Sequence, residues 1–120
     1  MSGTAAILSR MSYDQELAAR IRAALSFEPG ITEQRMFGGC AFLLDGNMTA
    51  AASGGGGLML RVDPAAGESL LQREGAQPFE MRGRGLSGWL RIDDTVLVDE
   101  AALRWWLDQA LSFTRTLPAK

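Results

Sequence analysis

The chain has 120 residues, 47% of them hydrophobic and 22% charged, and its formal net charge is −2. That length fits a single domain with one core, and the composition is typical of a folded globular protein. Modules that bind nucleic acid through its phosphates are usually basic, so the net charge weighs against that class. The chain has no histidine and one cysteine, Cys40, which excludes catalysis by a histidine base, an internal disulfide and a structural zinc site.

Residues 1–10 lie before Met11, a second plausible start. We expect them to be a disordered N-terminal extension and residues 11–120 to be a single domain. No stretch approaches the roughly 18 apolar residues of a membrane-spanning helix, and the N-terminus lacks the pattern of a secretory signal. Together with the lone cysteine, these features predict a cytoplasmic protein.

The chain begins with a predicted amphipathic helix followed by a strand. Ser12 is a suitable N-cap, Gln15 completes a capping box, and Pro29-Gly30 stops the helix near Phe27. Residues 31–37 then have the composition of a strand, which Gly38-Gly39 interrupts as a bulge or turn.

Three further strands follow in close succession. The strands at 40–44 and 47–52 flank Asp45-Gly46, a pair suited to a two-residue type I′ hairpin turn. After a looser connection at 53–57, residues 58–62 place Leu58 and Leu60 on one face and Met59 and Arg61 on the other.

The second half of the chain alternates helix, strand and helix. Asp63 caps a helix that has Pro64 at its first position, runs to about Glu74 and ends at Gly75. Strands are predicted at 77–81 and 86–92. Asp99 caps the last helix, which Pro118 ends. Its apolar stripe consists of Leu103, Trp106, Leu107, Ala110 and Leu111.

The order of these elements predicts the fold class. Strands joined by tight hairpins must be antiparallel, and the amphipathic helices must bury their apolar faces against the sheet. We therefore expect an α+β domain of two layers, with an antiparallel sheet of about five strands and helices packed on one face, in the order α-β-β-β-β-α-β-α.

Two glycine-rich segments could suggest phosphate binding, but their context argues against it. Residues 83–88 match the dinucleotide pattern G-x-G-x-x-G, which requires a helix after the last glycine. The residues after Gly88 alternate as a strand instead. Residues 54–57 lack the lysine and hydroxyl residue that a P-loop requires. The sequence therefore predicts no cofactor.

No catalytic or metal-binding group stands out. Cys40 lies in a predicted buried strand without an imidazole to activate it, which favours an inert core thiol. The acidic pairs Asp93-Asp94 and Asp99-Glu100 have the pattern of turn and helix-cap residues. We therefore predict a protein that is not an enzyme and holds no metal.

Arginines and tryptophans supply the candidate binding residues. If the strands that contain Arg35, Arg61 and Arg91 were neighbours, these side chains could line an anion-binding surface together with Arg82 and Arg84. Dispersed surface arginines, paired with nearby acidic residues, are the alternative. Two aromatic residues at the edge of their apolar faces are candidate interface residues: Trp89 and Trp105. Burial of these two rings at the rim of the core fits equally well.

Several segments resemble the N-terminal domain of the TfoX/Sxy family. The segment at 35–39, Arg-Met-Phe-Gly-Gly, is the most specific. Weaker similarity covers the opening helix, the strand at 58–62 and the final helix, so nearly the whole chain from Met11 onward is included. The residues that carry the family motif are Met36, Phe37, Gly38, Gly39 and Asn47.

The resemblance implies a bacterial α+β domain and a role in transcription regulation, including natural competence. It implies no catalytic residues. Two functions from different classes remain open. The first is a domain that binds a protein, either as a homodimer or as an adaptor to a transcription regulator. The second is an anion or nucleic-acid binder that uses the arginine surface.

Overall fold

Six β-strands form one antiparallel sheet in the order β1-β2-β3-β4-β6-β5. The computed structural model describes residues 14–36, 38–81 and 83–120, except for the side chain of Met81. The strands are β1 (Ile31–Met36), β2 (Gly39–Leu44), β3 (Asn47–Ala52), β4 (Leu58–Arg61), β5 (Ala76–Met81) and β6 (Arg84–Ile92). The helices are α1 (Gln15–Ala24), α2 (Pro64–Leu70), α3 (Asp94–Leu97) and α4 (Glu100–Thr114).

The predicted fold class is confirmed, with six strands in place of about five. Every pair of neighbouring strands is antiparallel, because tight connections join most of them. In the β2–β3 hairpin, Asp45 and Gly46 both have positive φ, 50° and 85°, as a type I′ turn requires. The segment after Gly88 continues as strand β6 rather than as a helix, so the dinucleotide pattern has no structural basis.

Helices cover one face of the sheet. The main core lies between them and alternate residues of the strands, such as Phe42 of β2, Leu60 of β4 and Ile92 of β6, all fully buried. Ile21 of α1 and Leu107 of α4 contribute from the helical layer. Fully burying each such side chain contributes about 1.5–3 kcal/mol, so this layer supplies most of the stability of the domain.

Three helix boundaries differ from the predictions. Asp14, rather than Ser12, caps α1, since its carboxylate accepts a hydrogen bond from the backbone N–H of Leu17 at 3.0 Å. Ser12 itself lies outside the described residues, as does the predicted extension at 1–10. Serine and aspartate are equally good caps, so the sequence could not choose between them. The same helix was predicted to end near Phe27 and ends at Ala24.

Further along the chain, α2 ends at Leu70 rather than at Glu74. Turns follow it as far as Gly75, which adopts a φ of +85°. The acidic pair Asp93-Asp94 was predicted to lie in a turn or cap; Asp93 is indeed a cap, but of a four-residue helix, α3, that was not predicted. Such short helices carry too few residues to show a period.

Ion pairs connect the helices to their neighbours at the surface. Arg22 of α1 donates to the carboxylate of Glu33 on β1. The guanidinium of Arg115 donates to Glu28 through Nε at 3.2 Å and Nη2 at 2.5 Å. These bonds, with the attraction of the arginine charge, hold the pKa of Glu28 below its ordinary value, although partial burial acts in the opposite direction.

Two glycines in different environments give a paired test of the fold. A Cβ at Gly39 would clash with the carbonyl oxygen of Ala52, whereas one at Gly67, inside α2, would meet nothing within 4 Å. We expect Gly39→Ala to lower the free energy of unfolding by about 1–3 kcal/mol and Gly67→Ala to raise it by about 0.5–1 kcal/mol. Urea denaturation measures both. Equal effects of the two changes on the free energy of unfolding would contradict the close approach of Gly39 on β2 to the carbonyl oxygen of Ala52 on β3.

The Glu28–Arg115 pair predicts a pH-dependent contribution to stability. Because the pKa of Glu28 is lowered in the folded state, its contribution is present above the unfolded pKa and is lost as the pH falls through the folded pKa. We expect Glu28→Gln to cost up to about 1 kcal/mol at neutral pH and less in acid, once the pH falls through the folded pKa of Glu28. Urea denaturation at both pH values measures the difference. Glu68→Gln, an exposed change on α2, is the control, and a cost that persists in acid would refute the linkage.

Candidate functional site on the open face of the sheet

The face of the sheet opposite the helices is apolar at its centre. Strand pairing places Ala41 of β2, Ala51 of β3 and Met59 of β4 side by side there. These three side chains are buried even though none of the described helices, α1 to α4, covers them. Larger side chains around them do the covering, namely Met36, Leu43, Met48, Phe79 and Trp89. We call this side of the sheet the open face.

A groove of about 290 Å³ runs over Ala51 and Met59. Ala51 lies on its floor, and Met36 and Met48 border it on one side. Phe79, Leu86 and Trp89 border it on the other side. Leu86 is among the most exposed large apolar side chains that the structure describes. Exposed apolar surface with a recess of this kind is typical of binding sites on soluble proteins.

The candidate arginines do not form one surface. Arg35 pairs with Cys40, a residue of the helix-side core, so its side chain lies on the helix side of the sheet. Arg61 and Arg91 pair with Trp89 and Met59 and therefore lie on the open face. Strands β2 and β3 also separate β1 from β4. Arg61 and Arg91 therefore lie on neighbouring strands and share a face, but Arg35 does not share it with them. Arg82 lies outside the described residues.

Two of these arginines already have contacts within the domain. Arg61 is the last residue of β4, and its guanidinium carbon lies 5.6 Å from the ring centroid of Trp89 on the open face and 5.6 Å from that of Phe113 on α4. Arg91 donates to the carbonyl of Gly55 at 3.0 Å and holds the glycine-rich loop at 54–57 against the sheet. Arg84 is exposed in β6, two residues before Leu86 and hence on the same face.

The two candidate interface tryptophans lie in different places. Trp89 is half-buried on the open face and borders the groove. Trp105 lies on α4 at the other side of the sheet, where its ring meets Trp106 edge-on at a centroid distance of 4.9 Å. The guanidinium of Arg73 lies 3.8 Å above the ring of Trp105. Trp105 therefore packs at the rim of the main core, while Trp89 belongs to the groove.

The family-motif residues lie near the two ends of β2. Gly38 has a φ of +74° in the turn between β1 and β2, a conformation that favours glycine. Met36 and Gly39 line the groove, whereas Phe37 lies outside the described residues. Asn47 is buried and donates from Nδ2 to the carbonyl of Pro118 at 2.9 Å, which fixes the C-terminal segment to the β2–β3 hairpin.

The buried thiol of Cys40 lies on the helix side, away from the groove. Burial raises the pKa of Cys40, and the neighbouring carboxylate of Glu33 raises it further. The thiol lies 3.6 Å from Glu33 Oε1 and can donate to it. A thiolate is the reactive form of cysteine, so this environment suits an inert side chain.

Neither a candidate metal site nor a membrane-spanning helix is found in the described parts of the chain. In ranges 14–36, 38–81 and 83–120, no group of three or more histidine, cysteine, aspartate or glutamate residues is placed to hold a metal ion. None of the helices described is long and apolar enough to cross a membrane.

Comparison with protein families identifies the chain. The family model for the TfoX N-terminal domain matches residues 12–114, which include every helix and strand described above. The chain belongs to the TfoX N-terminal domain family. Comparison with curated proteins and with solved structures gave no significant match. Within this TfoX N-terminal domain, the motif glycines lie at the edge of the groove.

Sequence reasoning missed most of the residues that form the groove. Met48, Phe79 and Leu86 lie on strands that were predicted, but their common face depends on strand order. The only available signal was the alternation in β4, which placed Met59 opposite Leu60, as the structure confirms.

The environment of Cys40 predicts slow thiol chemistry. We expect Cys40 in the folded protein to react with a disulfide reagent such as DTNB more than about an order of magnitude more slowly than in urea, because burial disfavours the thiolate and blocks access. Absorbance of the released thiol measures the rate. Cys40→Ser gives the blank, and equal rates in the folded and unfolded protein would disprove the burial.

Proposed function

We propose that this TfoX N-terminal domain is a non-enzymatic regulatory domain that binds another protein through the open face of its sheet. The observation that carries the proposal is the apolar groove over Ala51, on a face that none of the helices in residues 14–120 covers. Apolar surface exposed on a folded domain is stabilised when a partner removes it from water, at about 25 cal/mol per Å². A binding role gives that surface a function.

The composition of the groove also suits protein recognition. Its border carries Trp89, Phe79 and two methionines, and aromatic residues and methionine are enriched at interfaces. Methionine side chains adapt their shape to a bound surface because they are unbranched and flexible. The family relationship supports a partner from transcription regulation, with action in the cytoplasm and a part in competence.

Anion or nucleic-acid binding is the second candidate. The observation in its favour is that Arg61, Arg84 and Arg91 share the open face. Weighing against it, Arg35 lies on the other face, and Arg61 and Arg91 are engaged with rings and with a loop carbonyl. The net charge of −2 also disfavours binding that depends on phosphate neutralisation.

Site-specific photo-crosslinking in cells tests the proposal. A benzophenone side chain is introduced at Leu86, which borders the groove, and at Phe27, which is 87% exposed but does not line it. We expect irradiation to give a discrete protein adduct from position 86 and none from position 27, because only position 86 borders the groove. Gel electrophoresis with detection of the tagged chain measures both.

The pattern of adducts separates the alternatives. Adducts of equal yield from both positions, or none from either, would refute binding through the open face. An adduct at position 86 that nuclease treatment removes would favour the second candidate. Met48 provides a second reporter position on the opposite border of the groove.

A further inference from the structure

The shape of the open face limits what can occupy it. Neighbouring strands in the sheet are about 4.8 Å apart, so the region from β1 to β6 is roughly 19 Å wide. An α-helix with its side chains is about 10–12 Å in diameter and fits within that width. The groove, about 290 Å³ in volume, offers much less apolar surface than the roughly 800 Å² that each partner of a stable complex buries.

The backbone of the sheet provides a second constraint. Across the open face, the N–H and C=O groups of the inner strands already pair with neighbouring strands. An occupant of the groove therefore finds apolar side chains but no free backbone partners there. A helix satisfies its own backbone hydrogen bonds, whereas an extended segment lying on the face would leave its own unpaired.

The charged side chains on the open face also restrict which partners can bind there. In the sequence of β1–β4 and β6, the only acidic residue is Glu33, and it pairs with Arg22 on the helix side. Arg61, Arg84 and Arg91 thus lie on the open face with no carboxylate from these strands. Strand β5 adds one more acid, Glu80, which lines a depression beside Arg91 together with Asp93 and Asp94. Arg61 and Arg84 do not line that depression, so they are the open-face arginines that remain for a partner.

These charges also argue against a second copy of the chain. Two copies related by a two-fold axis would bring the same face of each into contact. The arginines of both copies would then be close to each other, and like charges across an interface are unfavourable. The small apolar area could not offset that repulsion as a larger interface would.

We infer that the groove on the open face binds an amphipathic helix of a partner protein, whose apolar side chains enter the groove and whose acidic flank faces Arg61 and Arg84. This inference depends on the proposed function and specifies the chemistry of the partner. A contact of this small size is typical of transient binding.

Three designed peptides of about 18 residues test the inference with the full chain. In the first, leucines recur at i, i+3, i+4 and i+7 and glutamates follow one flank. In the second, lysine replaces each glutamate. The third has the composition of the first in an order that alternates leucine with polar residues. Fluorescence anisotropy of each labelled peptide measures the dissociation constant at low and high salt.

We expect the first peptide to bind, and the second and third to bind at least about fivefold more weakly. Arg61→Gln and Arg84→Gln should each weaken binding of the first peptide by about twofold to fivefold and leave the second unaffected or improved. High salt should reduce that difference. Ala51→Met, which fills the floor of the groove, should abolish binding, while Phe27→Ser, a surface change elsewhere, should leave it unchanged.

Equal affinity for the acidic and basic peptides, or binding that survives Ala51→Met in a protein with an unchanged circular dichroism spectrum, would overturn the inference. So would a dimer of the wild-type chain in light scattering that Ala51→Met dissociates, because it would identify a second copy as the occupant. If crosslinks form at Leu86 but no helical peptide binds, the inference fails and the proposed function stands.

Discussion

The four described helices of this domain pack on one face of a six-stranded sheet, and the rest of the described structure depends on that constraint. On the covered face, large side chains such as Phe42 and Ile92 fill a dry core. On the other face, among the described residues, side chains of the sheet pack against one another. Small residues at its centre allow the larger ones around them to fold over and reduce exposed apolar area. The groove is what remains uncovered.

The two faces also divide the charges. Glu33 and Arg35 alternate with Gln34 along β1, so the charged pair lies on the helix side and the neutral residue on the open face. This division leaves the open face with arginines and almost no acid from its own strands. An apolar recess beside unbalanced positive charge is a surface with a preference among partners, which a purely apolar surface would not have.

The glycines near the groove connect the family motif to this surface. Gly38 allows the turn between β1 and β2, and Gly39 lets the backbone of β2 approach Ala52 more closely than a side chain would permit. Met36, on the strand before them, then lies at the border of the groove. The motif therefore shapes the border of the groove through backbone geometry.

The sequence by itself determined all of the strands and three of the four described helices, the antiparallel class and the packing of helices on one face. Local chemistry was sufficient there: the Asp45-Gly46 turn, the caps at Asp63 and Asp99, and the periods of helices and strands depend on residues close in the chain. It also determined that Met59 and Leu60 face opposite ways, because alternation is a property of a single strand.

Only the tertiary structure decided which strands are neighbours and which side chains meet. The candidate surface of arginines required β1 to lie beside β4, and β2 and β3 intervene. Likewise, Met48 and Trp89 are 41 residues apart in sequence and border one groove because β3, β4 and β6 are adjacent. Strand order depends on the packing of the whole sheet against its helices, and no local pattern of residues encodes it.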